Sequence, residues 1–157
     1  MQEKGSVYSG SSVSLMVKRG PGLAPGTTVD VHGLQADRAS SFAESATASV
    51  PDFVDSRSLV SILAGNPART DWRQVVLIEH AESELDATGR KPGWVALRGS
   101  DFLYTLNNTG EQEQYDLRVD PAEAGNFAAT SSGTTLAALT TRAAQMQTCK
   151  AGAFRSI

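Results

Sequence analysis

The chain has 157 residues, 40% of them hydrophobic and 20% charged, with a formal net charge of −3. That length supports a real core, and that balance belongs to a globular chain rather than a disordered one. No basic run points to nucleic acid or an anionic membrane, and no apolar run approaches the length of a bilayer span. A single cysteine, Cys149, excludes an internal disulfide. The opening Met1-Gln2-Glu3-Lys4 lacks the apolar segment of a secretory signal. Two readings stay open: a cytosolic protein, or one whose true N-terminus lies further upstream.

Residues 1–12 are Gly/Ser-rich with one aromatic, Tyr8, and read as loop. Val13-Ser14-Leu15-Met16-Val17 reads as a short buried strand, followed by a turn at Arg19-Gly20-Pro21-Gly22. Between His32 and Ser49, Ala39, Phe42, Ala43 and Ala46 fall at helical spacing. They predict a marginal helix buried on that thin apolar stripe and weakened by its serines, which compete with the backbone for hydrogen bonds. Asp55 is placed to cap a second helix with Leu59, Ile62 and Leu63 inward, ended by Gly65-Asn66-Pro67. Gln74 to His80 is near-continuously apolar, which predicts a central strand. Residues 81–93 form a polar excursion.

The stretch from Trp94 to Asn126 organises the rest. Phe102, Tyr104 and Leu106 alternate with Leu103 and Thr105, the period of a strand with one face buried. Asn107-Asn108-Thr109-Gly110 is a turn, since Asn and Gly tolerate positive φ, and Tyr115 and Leu117 return on one face of a partner strand. Asp120-Pro121-Ala122-Glu123 has the composition of a capped helical turn, stopped by Gly125-Asn126. Leu136, Leu139, Ala143 and Met146 then predict a helix capped by Ser132 or Thr134 and lying across the sheet. Asn107-Asn108-Thr109 also spells a glycosylation sequon.

The ordered run Gly110-Glu111…Glu113…Tyr115-Asp116-Leu117…Asp120-Pro121…Glu123…Asn126 resembles the C-terminal signature of the sulfatase family. It is most similar to the branch of N-acetylglucosamine-6-sulfatases and related arylsulfatases. Lys4, Tyr8, Arg19-Gly20-Pro21-Gly22, Asp55 to Gly65 and Trp72-Arg73 match further family segments. Serines stand where the family has proline, threonine or glycine, at 14, 40, 41, 56 and 61, and Phe154 stands for a second cysteine near Cys149. The resemblance implies an α+β fold: a small antiparallel sheet of about three to four strands with a packed C-terminal helix. On this resemblance it would be the C-terminal part of an alkaline-phosphatase-like α/β sulfatase. It further implies that residues 1–68 are an edge of the catalytic domain and 69–157 the sheet-plus-helix subdomain.

The family's chemistry uses a formylglycine made within C/S-x-P-x-R, a calcium ion held by Asp and Asn oxygens, and Lys and His residues on the sulfate. Fixed cations there stabilise the charge that spreads over the transition state. No such nucleophile motif occurs: Cys149 precedes Lys-Ala-Gly-Ala, and Ser49-Val50-Pro51-Asp52-Phe53 lacks the arginine. The chain by itself is therefore expected to be inactive and to bind no cofactor, its partners being an N-terminal catalytic segment and a sulfate ester, plausibly of a sugar. Lys4 is either a sulfate contact, as the resemblance implies, or a solvated terminal lysine. His80 either faces the substrate pocket or belongs, with Glu79, Glu82 and Glu84, to a solvated strand end rather than a metal site. A stand-alone binding module built on the same fold and a decaying gene product are the alternatives.

Overall fold

The computed structural model describes residues 6–65, 72–81 and 92–150. Within these the chain forms two compact units, one of residues 6–15 and 75–147 and the other of 16–74 and 148–150.

The first unit is built on a four-stranded antiparallel sheet in the order β1-β2-β3-β4, comprising Val75–His80, Trp94–Gly99, Phe102–Asn107 and Gln112–Asp116. The hairpins follow from local chemistry. Gly110 takes φ 98° in the β3–β4 turn, a region closed to most side chains. At the β2–β3 corner the Phe102 ring lies over Gly99, where a Cβ would come within 2.5 Å of it. β1 is an edge strand rather than the central one its composition predicts. Its apolar residues run on both faces because both faces of the sheet are covered, and composition reports burial rather than the number of partner strands.

One face carries the rows Ile78–Ala96–Thr105–Glu113 and Arg98–Leu103–Tyr115. Val7 joins Ala96, Leu103 and Tyr115 there in a buried cluster, with Tyr8, Ile78, Trp94 and Leu117 packed around it. The other face carries Leu77, Leu97 and Tyr104 in register. A long helix lies over it: Tyr104 shares a 2.7 Å hydrogen bond with Thr140, and Gln147 donates to Glu79 at 2.9 Å. That helix, Gly133–Thr148, buries Ala143 and Met146 as its spacing predicts, and Ser132 Oγ accepts from the Thr135 N–H at 3.1 Å as the cap. β3 is more deeply buried than a one-faced strand: Leu103, Tyr104 and Thr105 are all enclosed.

β4 is the other edge, and Asn126 closes it. Its side chain accepts from the Gln114 N–H at 3.0 Å and donates to the Gln112 carbonyl at 3.2 Å, while the Phe127 N–H reaches the Gln114 carbonyl at 3.1 Å. An asparagine thus takes the place of a partner strand, one way of protecting an exposed edge.

The second unit has a core of Leu59, Ile62 and Trp72, with Met16, Val29, Val31 and Leu63 against it. α2, Asp37–Ser45, forms where a marginal helix is expected, but it is turned round. Its buried residues are Asp37, Ser40 and Ser41, and Phe42 is 68% exposed. The serines make this orientation possible. Ser41 donates to the Asp37 carbonyl at 2.6 Å and accepts from the Leu59 N–H at 2.9 Å, and Ser40 pairs with Ser56 at 2.5 Å. α3, Val60–Leu63, begins after Leu59 with no side-chain cap, so Asp55 does not cap it. Leu59 and Ile62 are buried as expected, and Gly65 at φ 83° ends the turn. The expected strand at 13–17 is absent: Val13, Leu15 and Val17 are exposed, at 57%, 90% and 80%. Alternation shows which side chains share a face and cannot supply the surface that covers it.

Asp37 holds this unit together. Arg73 grips it bidentately at 2.7 and 3.2 Å, and the Leu34 and Arg57 N–H groups donate to it at 2.7 and 2.8 Å. Both ends of the ion pair are almost fully enclosed. Removing one partner of such a pair strands the other charge, so Asp37→Ala is expected to lower stability by about 3–5 kcal/mol. Urea denaturation followed by tryptophan fluorescence measures this, and a loss below about 1 kcal/mol contradicts the assigned role.

Candidate functional site

The polar residues of the 110–126 signature point to one another and to the start of the chain. Glu113 accepts from two phenols on one oxygen, Tyr8 at 3.0 Å and Tyr115 at 2.8 Å. Tyr8 and Tyr115 also meet edge to face, with centroids 6.0 Å apart. Glu123 is buried and accepts three hydrogen bonds: from the Ser9 N–H at 2.7 Å, the Ser9 hydroxyl at 2.5 Å and Arg98 at 2.8 Å. Asp120 accepts from the Ala124 and Gly125 N–H groups, and Asp116 pairs with Arg118. The expected helical turn at 120–123 does not form, because Glu123 takes φ 55°. That left-handed residue breaks the helix, and its carboxylate goes to Ser9 and Arg98.

Residues 6–12, which include the single turn α1, Ser9–Ser12, form a strap on the sheet face opposite the long helix. Of its side chains Val7 alone is buried. Burying one valine contributes about 1.5–3 kcal/mol, against about 1–2 kcal/mol per residue for ordering the backbone. Hydrogen bonds to charged groups, at about 1.5–3 kcal/mol each, decide whether the strap is docked.

The electrostatics follow from this geometry. Burial raises the Glu123 pKa, but the hydrogen bonds from Ser9 and Arg98 outweigh it and hold the carboxyl below its ordinary value. Tyr115 is raised by burial first, then by its contacts with Tyr8 and Glu113. For Tyr8 the contact with Tyr115 lowers the pKa, but burial and Glu113 prevail and it too is raised. The phenols stay protonated and donate to Glu113.

His80 ends β1 opposite Trp94 in register, and the two rings stack at 5.6 Å and 26°. They border an open cleft of about 550 Å³ that Glu79, Asn107, Asn108 and Gln147 also line. The His80 Nε2 is buried without a hydrogen-bond partner. Asn107 of the sequon is at this end of the sheet, its backbone N–H bonded to the Glu111 carbonyl at 2.9 Å.

Lys4, Glu82, Glu84 and Phe154 lie outside the described residues. Cys149 is a half-buried free thiol, and Ser49-Val50-Pro51 is part of an irregular segment ahead of an exposed Phe53. Among the described residues no three His, Cys, Asp or Glu side chains come together as a metal site. No helix among them is long and apolar enough to cross a membrane. Sequence reasoning missed Arg98 and the clasp on Tyr8 and Ser9. The signal available was the glutamates of the signature, whose partners in the strap stand more than a hundred positions away.

No family model matches the chain. An N-acetylglucosamine-6-O-sulfatase of Bacteroides thetaiotaomicron is 24% identical over 115 residues, which is 72% of this chain and 20% of the relative. The structure of BT4656 in complex with its substrate D-glucosamine-2-N,6-O-disulfate superposes with a TM-score of 0.59 at 25% identity, over 71% of this chain and 23% of that one. A phosphonate monoester hydrolase of Silicibacter pomeroyi superposes with a TM-score of 0.64 at 26% identity, over 82% and 27%. The chain thus spans about a fifth to a quarter of the length of these proteins. A four-stranded antiparallel sheet with a C-terminal helix, the 110–126 signature at its edge and these likenesses together make the chain similar to the C-terminal portion of sulfatases, on an alkaline-phosphatase-like fold.

Proposed function

We propose that this chain is the part of a sulfatase that packs against a catalytic segment carrying the formylglycine and calcium, and forms one wall of a cleft for sulfated sugars. The observation that carries this reading is the match of fold and sequence to sulfatases over some 70% of the chain but only about a fifth of the relatives' length. Two features support it further. C/S-x-P-x-R occurs nowhere in the sequence. Leu15, Val17, Phe42 and Phe53 leave large apolar side chains in solvent, as surfaces meant for a neighbour do.

In this reading a calcium ion held by the catalytic segment would supply the charge that polarises the sulfate. The chain's own contribution is orientation. His80, with Trp94 beneath it and Asn107, Asn108 and Gln147 around it, offers an aromatic surface edged by amides, which suits the apolar face and the hydroxyls of a sugar ring. Lys4 supplies an ammonium for a sulfate oxygen. Neither residue performs the bond-breaking step.

The purified chain is expected to release no sulfate from an aryl sulfate above background, and to gain activity when joined to an upstream segment containing C/S-x-P-x-R. Turnover by the chain alone, or an upstream reading frame without that motif, refutes the proposal. The chain is also expected to bind a hydrophobic dye, and less of it after Leu15→Ser with Phe42→Ser. An absent dye response contradicts the apolar contact surface.

A further inference from the structure

Strand register sets three unlike side chains side by side at one end of the sheet. His80 of β1 stands opposite Trp94 of β2, and Trp94 stands opposite Asn107 of β3. Residues paired in this way share a face, so imidazole, indole and carboxamide form one row. The two rings stack at 5.6 Å and 26°. Backbone bonds fix the turn beside them: the Asn107 N–H donates to the Glu111 carbonyl and the Asn108 N–H to the Gly93 carbonyl, both at 2.9 Å. Gln147 donates to Glu79 at 2.9 Å, which ties the last turn of the long helix to β1 beside the same cleft. The row therefore sits on paired strands, the kind of support that holds a binding group in place. We infer that this row is a binding subsite for an uncharged sugar unit, one that adjoins the sulfated unit in an oligosaccharide.

The ligand class follows from the lining. A sugar ring offers an apolar face of C–H groups and a rim of hydroxyls that both donate and accept. The stacked rings suit that face. The carboxamides of Asn107 and Asn108 each bring an acceptor and a donor to the cleft, which suits the hydroxyl rim. The His80 Nε2 has no hydrogen-bond partner, and a polar atom in that state is one that a ligand hydroxyl completes. The cleft's 550 Å³ falls within the range of about 300–1,000 Å³ usual for small-molecule sites. Charge then decides between a sulfated unit and a neutral one. Glu79 brings a carboxylate to the lining, and its negative charge opposes a sulfate there while leaving a neutral ring unaffected. Placing the neutral unit next to a sulfated one rests on the sulfatase reading. The subsite itself, and its preference for a neutral ring, do not.

Nuclear magnetic resonance titration of the 157-residue chain tests the subsite, read at the Trp94 indole N–H and the Asn107 and Asn108 side-chain amides. The probes are N-acetylglucosamine and N-acetylglucosamine 6-sulfate, which differ in a single charged group. The neutral sugar is expected to give saturable shifts at millimolar concentration while Leu97 and Tyr104 in the sheet stay unmoved. The sulfated sugar is expected to bind several-fold more weakly at low salt. Both Glu79→Gln and raised salt should narrow that gap, because each weakens the repulsion. His80→Ala is expected to lower affinity for the neutral sugar several-fold. Asn108→Ala, at an exposed position, is expected to do the same and covers the case in which the histidine variant disturbs the sheet. A neutral sugar that gives no saturable response overturns the inference, as does a sulfated sugar that binds equally or more tightly. A gap that Glu79→Gln leaves unchanged, or an affinity that neither His80→Ala nor Asn108→Ala alters, overturns it too. Joining the upstream catalytic segment separates this result from the sulfatase reading. Sulfatase activity in the joined protein with no sugar response at this row removes the subsite and keeps that reading. A neutral-sugar response with no such activity keeps the subsite and removes the sulfated neighbour.

Discussion

A carboxylate taken out of water must be met by donors on nearly every lone pair, and this constraint shapes both units. Asp37 collects a bidentate arginine and two backbone N–H groups. Glu123 collects a backbone N–H, a hydroxyl and an arginine. An unpaired buried charge costs several kcal/mol, so each acid draws distant parts of the chain to it. Around Asp37 these are the residues near 34, 57 and 73, and around Glu123 they are the strap and β2. Packing alone does less. Val7 is the strap's one buried anchor, and α2 turns its serines inward and leaves its phenylalanine outside.

The sulfatase signature takes on a different meaning in this light. Its residues look catalytic by type, being acids, a tyrosine and an asparagine. In the fold most of them are occupied in holding the chain together. Asn126 closes the edge of β4, Asp120 caps a loop, Glu113 and Glu123 hold the strap, and Asp116 pairs with Arg118. The groups left facing outward at the other end of the sheet are those around His80 and Trp94. A motif that recurs through a family can record the architecture that presents a site as well as the site itself.

Much of the sheet was legible in the residues. The alternation through 102–106, the Asn/Gly turn and the return through Tyr115 and Leu117 correspond to β3, its turn and β4. The helical spacing of Leu136 to Met146 corresponds to the long helix, capped by Ser132. These readings hold because hairpins and amphipathic helices are specified by neighbours within a few residues. They failed where the answer lay elsewhere in the chain. Val75–His80 is apolar enough for a central strand but ends as an edge, Phe42 lost its place to Asp37 and the serines, and the run at 13–17 has no partner strand.

The sequence by itself determined the family resemblance, the hairpin and its turn, the final helix and the lack of a nucleophile motif, all of which rest on residue identity and short spacing. Only the tertiary structure decided what the signature acids do, which face of α2 is inward and which strands lie at the edges. Those depend on contacts between residues tens to more than a hundred positions apart, and on the desolvation of charge, which no local pattern of side chains encodes.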